Sequence, residues 1–412
     1  MTRNNTIQFQ GRALTFEEAA AMLEKLSREG LAKKYGSVTP ELAARVAREV
    51  AYITASGELL QRFLLLWDLA RYAREHRIFI GPGFGTLPGS LTAYCLDVTG
   101  VDPIRNGLLF ERLTARADSQ LPLHLALQVP ERSIQALSAY LADAYPGENA
   151  ADLLSCDRTV SQIDCALQLI EESAGTRPDL PSIDFGDKNV LDLLTADGER
   201  TFCVFKQGSP FLKEIQPRTL EELTAAAAFQ ARGSLLEPDT AYQFSYLEAA
   251  EHPESLNAVP RCMMDILKDT RGCLVYTEQL MRFFAEFAGY TLEQAADHIR
   301  SLKRLKPQPS ESAEVTCLTP LLRFTEDRQI YLVYPLLGRE LPLMAGPGWE
   351  IRFLQPDAPL MSGAARWVVG KSHFLPIAVL SYWAAYLCRY YPSAYQRACS
   401  AFPVPDLSKF PH

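Results

Sequence analysis

Residues 80–128 read IGPGFGTLPGSLTAYCLDVTGVDPIRNGLLFERLTARADSQLPLHLALQ. Two pieces of this stretch decide the reading. The first is the glycine-rich loop Gly83-Phe84-Gly85-Thr86-Leu87-Pro88-Gly89-Ser90. Glycine, with no Cβ, lets backbone amides approach a phosphate group closely. Pro88 removes one of those amides, and Phe84 brings no charge. The second is the run Leu121 to Leu127, LPLHLAL. It reads as a strand packed into core, where each buried leucine side chain contributes about 1.5–3 kcal/mol. His124, between Leu123 and Leu125, reads as a structural or edge residue rather than a ligand.

Outward from this stretch the pattern is largely helical. Phe16 to Gly30 is predicted as a helix with Thr15 as N-cap and Gly30 as its stop. Thr39-Pro40-Glu41 opens a second helix, with proline at the first helical position. Leu59 to Arg77 is a third, apolar enough to be largely covered, followed by a short strand Ile78-Phe79-Ile80. Glu131 to Tyr145 is helical and stops at Pro146-Gly147. Lys306 to Ala313 is a polar, proline-containing linker. Beyond it, IYLVYPLL and WEIRFL read as strands around a Gly346-Pro347-Gly348 turn, a small β insert within Thr316 to Pro359. The aromatic residues Tyr382, Trp383, Tyr386, Tyr390, Tyr391 and Tyr395 recur at helical spacing, which favours core packing over a base-stacking platform.

Composition excludes several classes. The 412 residues are 48% hydrophobic and 22% charged, an ordinary soluble globular balance with room for two or three domains. The net charge of −8 argues against a wholly basic nucleic-acid sleeve, since affinity for DNA rests largely on phosphate neutralisation. Nine scattered cysteines with no CxxC pair read as reduced thiols in a cytoplasmic protein. No signal peptide is seen. The most apolar run, Phe374 to Cys388, is too short to span a bilayer and reads as a buried helix.

The 80–128 stretch resembles the palm of the bacterial DNA polymerase III alpha subunit, the C family of replicative polymerases. In that family a GPGxGSxxGS loop leads through AYxLGITDxDPLR and LLFERF to a PDxDxDF strand carrying two metal-binding aspartates. The same register puts Leu123 and Leu125 at those positions. Further on, Cys156-Asp157-Arg158-Thr159 and the helix from Cys165 resemble the family's KFDFLGLRT and the helix after it. Counting back from Arg158-Thr159, the third aspartate falls at Leu153. Asp152 and Asp157 flank it, and a one-residue slip turns a strand side chain to the opposite face. Only about 25 residues separate Leu127 from Leu153, against well over a hundred in the family. Much of the palm and the thumb are therefore expected to be missing, along with the phosphoesterase, clamp-binding and OB segments. Asp184 to Arg304 is similar to the family's fingers, and Val369 to Ser400 is similar to FNKSHAxAYALLSYQTAxLKAHYPxEFMAA.

The resemblance implies an α+β fold: a reduced palm, with a small mixed sheet and flanking helices, plus a mainly helical fingers region with a small β insert. The implied division is an N-terminal helical region 1–77, a reduced palm 78–180, fingers 181–305, linker and β insert 306–365, and C-terminal fingers-like helices 366–412. It also implies a phosphate-binding remnant: Gly83, Gly85, Thr86, Gly89, Ser90, Arg232, Arg300, Lys371 and His373. Basic side chains there would pair with phosphate oxygens. Leucine offers no atom to Mg2+, a hard cation that takes oxygen ligands. The expectation is thus a chain with no catalytic residue, no metal and no cofactor. It would act as a scaffold or accessory factor in DNA replication, repair or a mobile-element pathway, with a protein partner, weak or no DNA binding and no membrane. Two alternatives stay open. One is an active DNA-directed polymerase or nucleotidyltransferase whose Mg2+ site is rebuilt from Asp118, Asp152 or Asp157. The other is a single-stranded DNA-binding protein using, among others, the basic run Lys303-Arg304-Leu305-Lys306.

Overall fold

The computed structural model describes residues 6–114, 125–233, 246–247, 265–287, 289–304, 329–333, 350–354 and 368–403. The chain opens with a hairpin that its sequence pattern did not announce: β1 (Thr6–Phe9) pairs antiparallel with β2 (Arg12–Thr15). The two turn residues, Gln10 and Gly11, both have positive φ, which suits the right-handed twist of the strands. Three helices follow: α1 (Phe16–Tyr35), α2 (Pro40–Thr54) and α3 (Gly57–Glu75). Each starts at a hydroxyl that accepts from a first-turn amide: Thr15, Thr39 and Ser56. Thr15 and Glu18 complete a capping box.

Helix α1 does not stop at Gly30. It runs to Tyr35 and ends at Gly36, whose φ is +67°. Gly30 serves packing instead: a Cβ there would collide with the Cys95 carbonyl. Cys95 closes the short helix α4 (Leu91–Cys95), which lies across α1. After α5 (Glu111–Thr114) the chain reaches β3 (Leu127–Val129), α6 (Ile134–Ala144), α7 (Ala150–Leu153) and β4 (Leu154–Cys156). Strands β3 and β4 pair in parallel, Leu127 with Leu154 and Val129 with Cys156. The expected small mixed sheet is thus a two-stranded parallel ladder. Ile78 to Ile80 forms no strand; the Gly81 amide that follows it donates to the Gln128 carbonyl of β3 at 2.8 Å.

The second half is built on α8 (Arg158–Ala174), α9 (Lys188–Thr195), the hairpin β5 (Thr201–Phe202) and β6 (Phe205–Lys206), α10 (Pro210–Ile215) and α11 (Leu220–Gly233). Then come α12 (Thr277–Phe287) and α13 (Leu292–Arg304). Strands β7 (Gln329–Val333) and β8 (Glu350–Leu354) form the expected β insert, but they pair in parallel. A hairpin about the glycine turn is therefore ruled out, because a tight turn joins only antiparallel strands. The turn itself, like the linker 306–313, lies outside the described residues. Helices α14 (Lys371–Tyr390) and α15 (Pro392–Ala401) complete the chain.

Two large apolar cores result among the described residues, with a smaller one where α1, α2 and α4 meet. The first joins β1, α1, α3, α6 and the β3–β4 pair through Ile7, Leu23, Phe63, Leu64, Leu127 and Leu141. The second gathers α8, α9, α11 and α15 around α14. Fifteen of the 20 residues of α14 are buried, in keeping with its largely apolar stretch from Phe374 to Cys388. No helix among the described residues is long and apolar enough to cross a membrane. Cys95, Cys156, Cys165, Cys203, Cys273, Cys388 and Cys399 are free thiols, and burial pushes the Cys203 thiol up to about 11.

Candidate functional site

The centre of the candidate site is the β3–β4 pair and the glycine loop beside it. Side chains along an extended segment alternate between faces. Leu125, Leu127 and Val129 belong to the first core, together with Leu153 and Leu154 of the neighbouring segment. Leu125 is 1% exposed and Leu153 0%. Gln128, offset by one residue, meets the glycine loop: its Oε1 accepts from the Gly83 amide at 3.1 Å. Leu123 and His124 lie outside the described residues, as does Asp118.

Mg2+ does not fit what is present. The two positions that could be inspected for aspartate carry buried hydrocarbon with no donor atom. Asp157 is spent on helix α8, where one carboxylate oxygen accepts the Thr159 and Val160 amides at 2.8 and 3.2 Å. Asp152 is exposed on α7, and its backbone carbonyl, not its carboxylate, meets Arg62 at 3.1 Å. Among the described residues no three His, Cys, Asp or Glu side chains come together as a ligand set.

The glycine loop keeps the backbone geometry that its residues allow. Gly83 and Gly85 have φ of +104° and +67°, and a Cβ on Gly89 would approach the Leu109 carbonyl oxygen to 2.6 Å. The donors where the loop runs into α4 are nevertheless occupied. Ser90 caps α4 and also donates to Glu49 Oε2 at 2.8 Å, while the Leu91 and Thr92 amides donate to the same carboxylate at 3.1 and 2.9 Å. Glu49 is 0% exposed, and Arg45 pairs with it while donating to the Gly89 carbonyl at 3.0 Å. An internal carboxylate therefore already sits where the loop turns into helix and presents its donors. Thr86 is buried in the same turn, which packs against α14.

A second buried carboxylate organises the start of α14. Glu278 accepts the Lys371 and Ser372 amides at 2.8 and 3.1 Å and lies 3.6 Å from the Arg112 guanidinium. The Lys371 ammonium is folded in over the Tyr276 ring, 3.7 Å from Asp269. Burial lowers its pKa, with Asp269 opposing the shift. His373 follows on the same turn at an exposed position; partial desolvation, then the charge of Arg112, lowers its pKa. Arg300 pairs with Asp297 at 3.2 Å on α13. The Arg232 side chain lies outside the described residues. Of the nine expected remnant positions, Ser90 donates to Glu49, Gly89 meets the same glutamate's partner Arg45, Gly83 meets Gln128, and the Lys371 amide donates to Glu278.

Neither glutamate was singled out in the sequence, yet Glu49 carries a usable signal. It lies with Val46, Val50 and Ile53 at helical spacing, so it falls on the buried stripe of α2. A carboxylate on such a stripe must find donors.

Comparison with known proteins agrees with this layout. Residues 21–161 match the family described as bacterial DNA polymerase III alpha NTPase domain, and residues 159–318 match its finger domain. A DNA polymerase III subunit alpha from Halalkalibacterium halodurans is 22% identical over 513 aligned positions, covering 93% of this chain and 43% of the relative. That alignment is longer than the 412-residue chain, so the relative carries residues inside the matched span that this chain lacks. The subunit alpha of Streptococcus pyogenes is 20% identical over 72% of this chain and 40% of its own length. An error-prone DNA polymerase from Symbiobacterium thermophilum is 36% identical over 32% of this chain and 12% of its own length. The chain spans less than half the length of these relatives. It belongs to the family of the bacterial DNA polymerase III alpha subunit, the C-family DNA polymerases.

Proposed function

We propose that this protein is a non-catalytic member of that family, a scaffold or accessory factor in DNA replication, repair or a mobile-element pathway of the cytoplasm. The observation that carries the reading is the burial of Leu125 and Leu153 in the first core, at positions the family resemblance assigns to metal-binding aspartates. A two-metal mechanism needs carboxylates to clamp the attacking and leaving oxygens. Here that face of the reduced palm is hydrophobic packing, and the donors at the junction of the glycine loop with α4 serve Glu49. The retained fingers surface then has structural rather than chemical work, and the partner it serves is a protein.

Nucleic-acid binding tests this against the single-stranded DNA reading. With a net charge of −8 and Lys371 turned inward, the expected Kd for primed or single-stranded DNA is on the order of 1 µM or weaker at about 150 mM salt. Fluorescence anisotropy at that salt measures it. Sub-micromolar binding, or a native complex isolated with DNA and no second protein, contradicts the reading. Where binding is detected, charge reversal at Arg232, Arg304 and Lys371 is expected to weaken it more than reversal at Lys33 and Lys34. Equal effects would make the contact diffuse.

A further inference from the structure

Helices α1 and α2 leave a groove of about 680 Å3 between them, open to solvent. Leu31, Val46 and Val50 are buried at its floor, and Ala43, Ala47 and Ala51 stand exposed along its α2 side. Val38, 41% exposed, adds a further apolar side chain to the lining. Arg45 and Arg48 of α2 are drawn to other faces, where they pair with buried Glu49 and buried Glu111. The charged residues that line the groove are Glu24 and Arg28, both on α1. An exposed apolar surface rimmed by polar groups marks an interaction site. We propose that a second copy of this chain covers it, with the two α1–α2 pairs lying antiparallel about a two-fold axis.

The order of charges on α1 selects that arrangement. Glu24 pairs with Arg28 at 2.6 Å and Lys25 with Glu29 at 3.9 Å, and all four side chains are well exposed. A two-fold axis across α1 between Leu26 and Ser27 sets Glu24 beside Arg28, and Lys25 beside Glu29, of the second copy. A parallel contact between the two α1 helices would set each charge against itself. The same axis brings Glu17 and Glu18 of the first turn toward Lys33 and Lys34 of the last. Those ends also suit the helix's own dipole, and both lysines serve Asp97, so the central pairs decide the orientation. Helix α2 agrees with the same axis. The connection 36–39 folds it back along α1, so residues equally far from the connection lie level, and the middle of α1 falls beside Arg48 and Glu49. An axis at that height sets Ala47 opposite Ala51, and Ala43 opposite Ala55, of the second copy. All four alanines are exposed, and their small side chains let the two α2 helices approach closely. Helix α1 spans about 30 Å, so two helices side by side offer a face on the order of 600 Å2 per copy. That is the lower end of specific interfaces, so the dimer is reversible, with a Kd on the order of 10 µM.

Sedimentation velocity of the full chain from about 1 to about 200 µM tests this, and a monomer–dimer equilibrium is the expected result. Ala47→Arg, at an exposed position, is expected to weaken the dimer at least about tenfold without changing Tm. Glu24→Arg alone and Arg28→Glu alone each set like charges across the axis and should weaken it about fivefold or more. An equimolar mixture of those two variants is expected to recover association, because each then faces its opposite charge. The double variant Glu24→Arg/Arg28→Glu should recover it for the same reason. A chain that stays monomeric over the whole range overturns the proposal. So does a dimer that Ala47→Arg leaves unchanged, or one that the mixture fails to restore, since the contact then lies elsewhere or follows another symmetry. A monomeric chain whose Ala47→Arg variant loses a co-purifying second protein gives the groove to a different partner and equally contradicts it.

Discussion

Restoring the family's carboxylates, with Leu125→Asp and Leu153→Asp together, is expected to destabilise the protein by at least about 4 kcal/mol. Both side chains are enclosed by hydrocarbon, and neither new carboxylate meets a cation there. Desolvation of two charges in one apolar cluster is the main cost, and mutual repulsion adds to it. Thermal unfolding should show a loss on the order of 10 °C in Tm. Added Mg2+ is expected to recover little of it, because both positions are enclosed in the first core, away from the water that would complete the ion's shell. An unchanged Tm would mean that the strand face is open to solvent, and the packing argument would fail.

The next largest effect is expected at Asp68. This carboxylate is 0% exposed and gathers donors from three elements: Gln10 Nε2 at 2.8 Å, Arg71 Nη2 at 2.8 Å, and the hydroxyls of Tyr140 and Tyr145 at 2.6 and 2.8 Å. It ties the β1–β2 turn and α6 to α3. Burial, together with the bond to Asp68, raises the Tyr140 hydroxyl to about 12, so it stays protonated and donating throughout the ordinary pH range. Asp68→Ala strands these donors at once and is expected to cost about 3 kcal/mol. Glu75→Ala removes the more exposed half of the Arg71 pairing and should change stability by less than about 1 kcal/mol. Chemical denaturation of both variants measures the difference, and equal losses would deny Asp68 its organising role.

How far the sequence reveals the fold depends on where the decisive contact lies. Helix starts are local: Thr15, Thr39 and Asp157 each satisfy an amide within the next three residues, and all three are readable by eye. Helix ends are less so. Gly30 carries the signature of a stop, but its missing Cβ answers a contact with Cys95, 65 positions along the chain, that no local pattern reveals. The parallel pairing of β3 with β4 and of β7 with β8 depends equally on long-range placement. At the candidate site, the leucines at 125 and 153 stand out because the family resemblance places aspartates at those positions. The two glutamates that hold the end of the glycine loop and the start of α14 were missed, because each acts on donors far away in sequence, 41 to 43 positions for Glu49 and 93 to 94 for Glu278.

The most direct test of the central claim is primer extension on a primed template by the purified chain, with Mg2+ and all four deoxynucleoside triphosphates. The account predicts no template-dependent incorporation above a no-protein control. Extension that requires the protein, follows the template and disappears on Asp152→Asn or Asp157→Asn would contradict it and establish a rebuilt metal site.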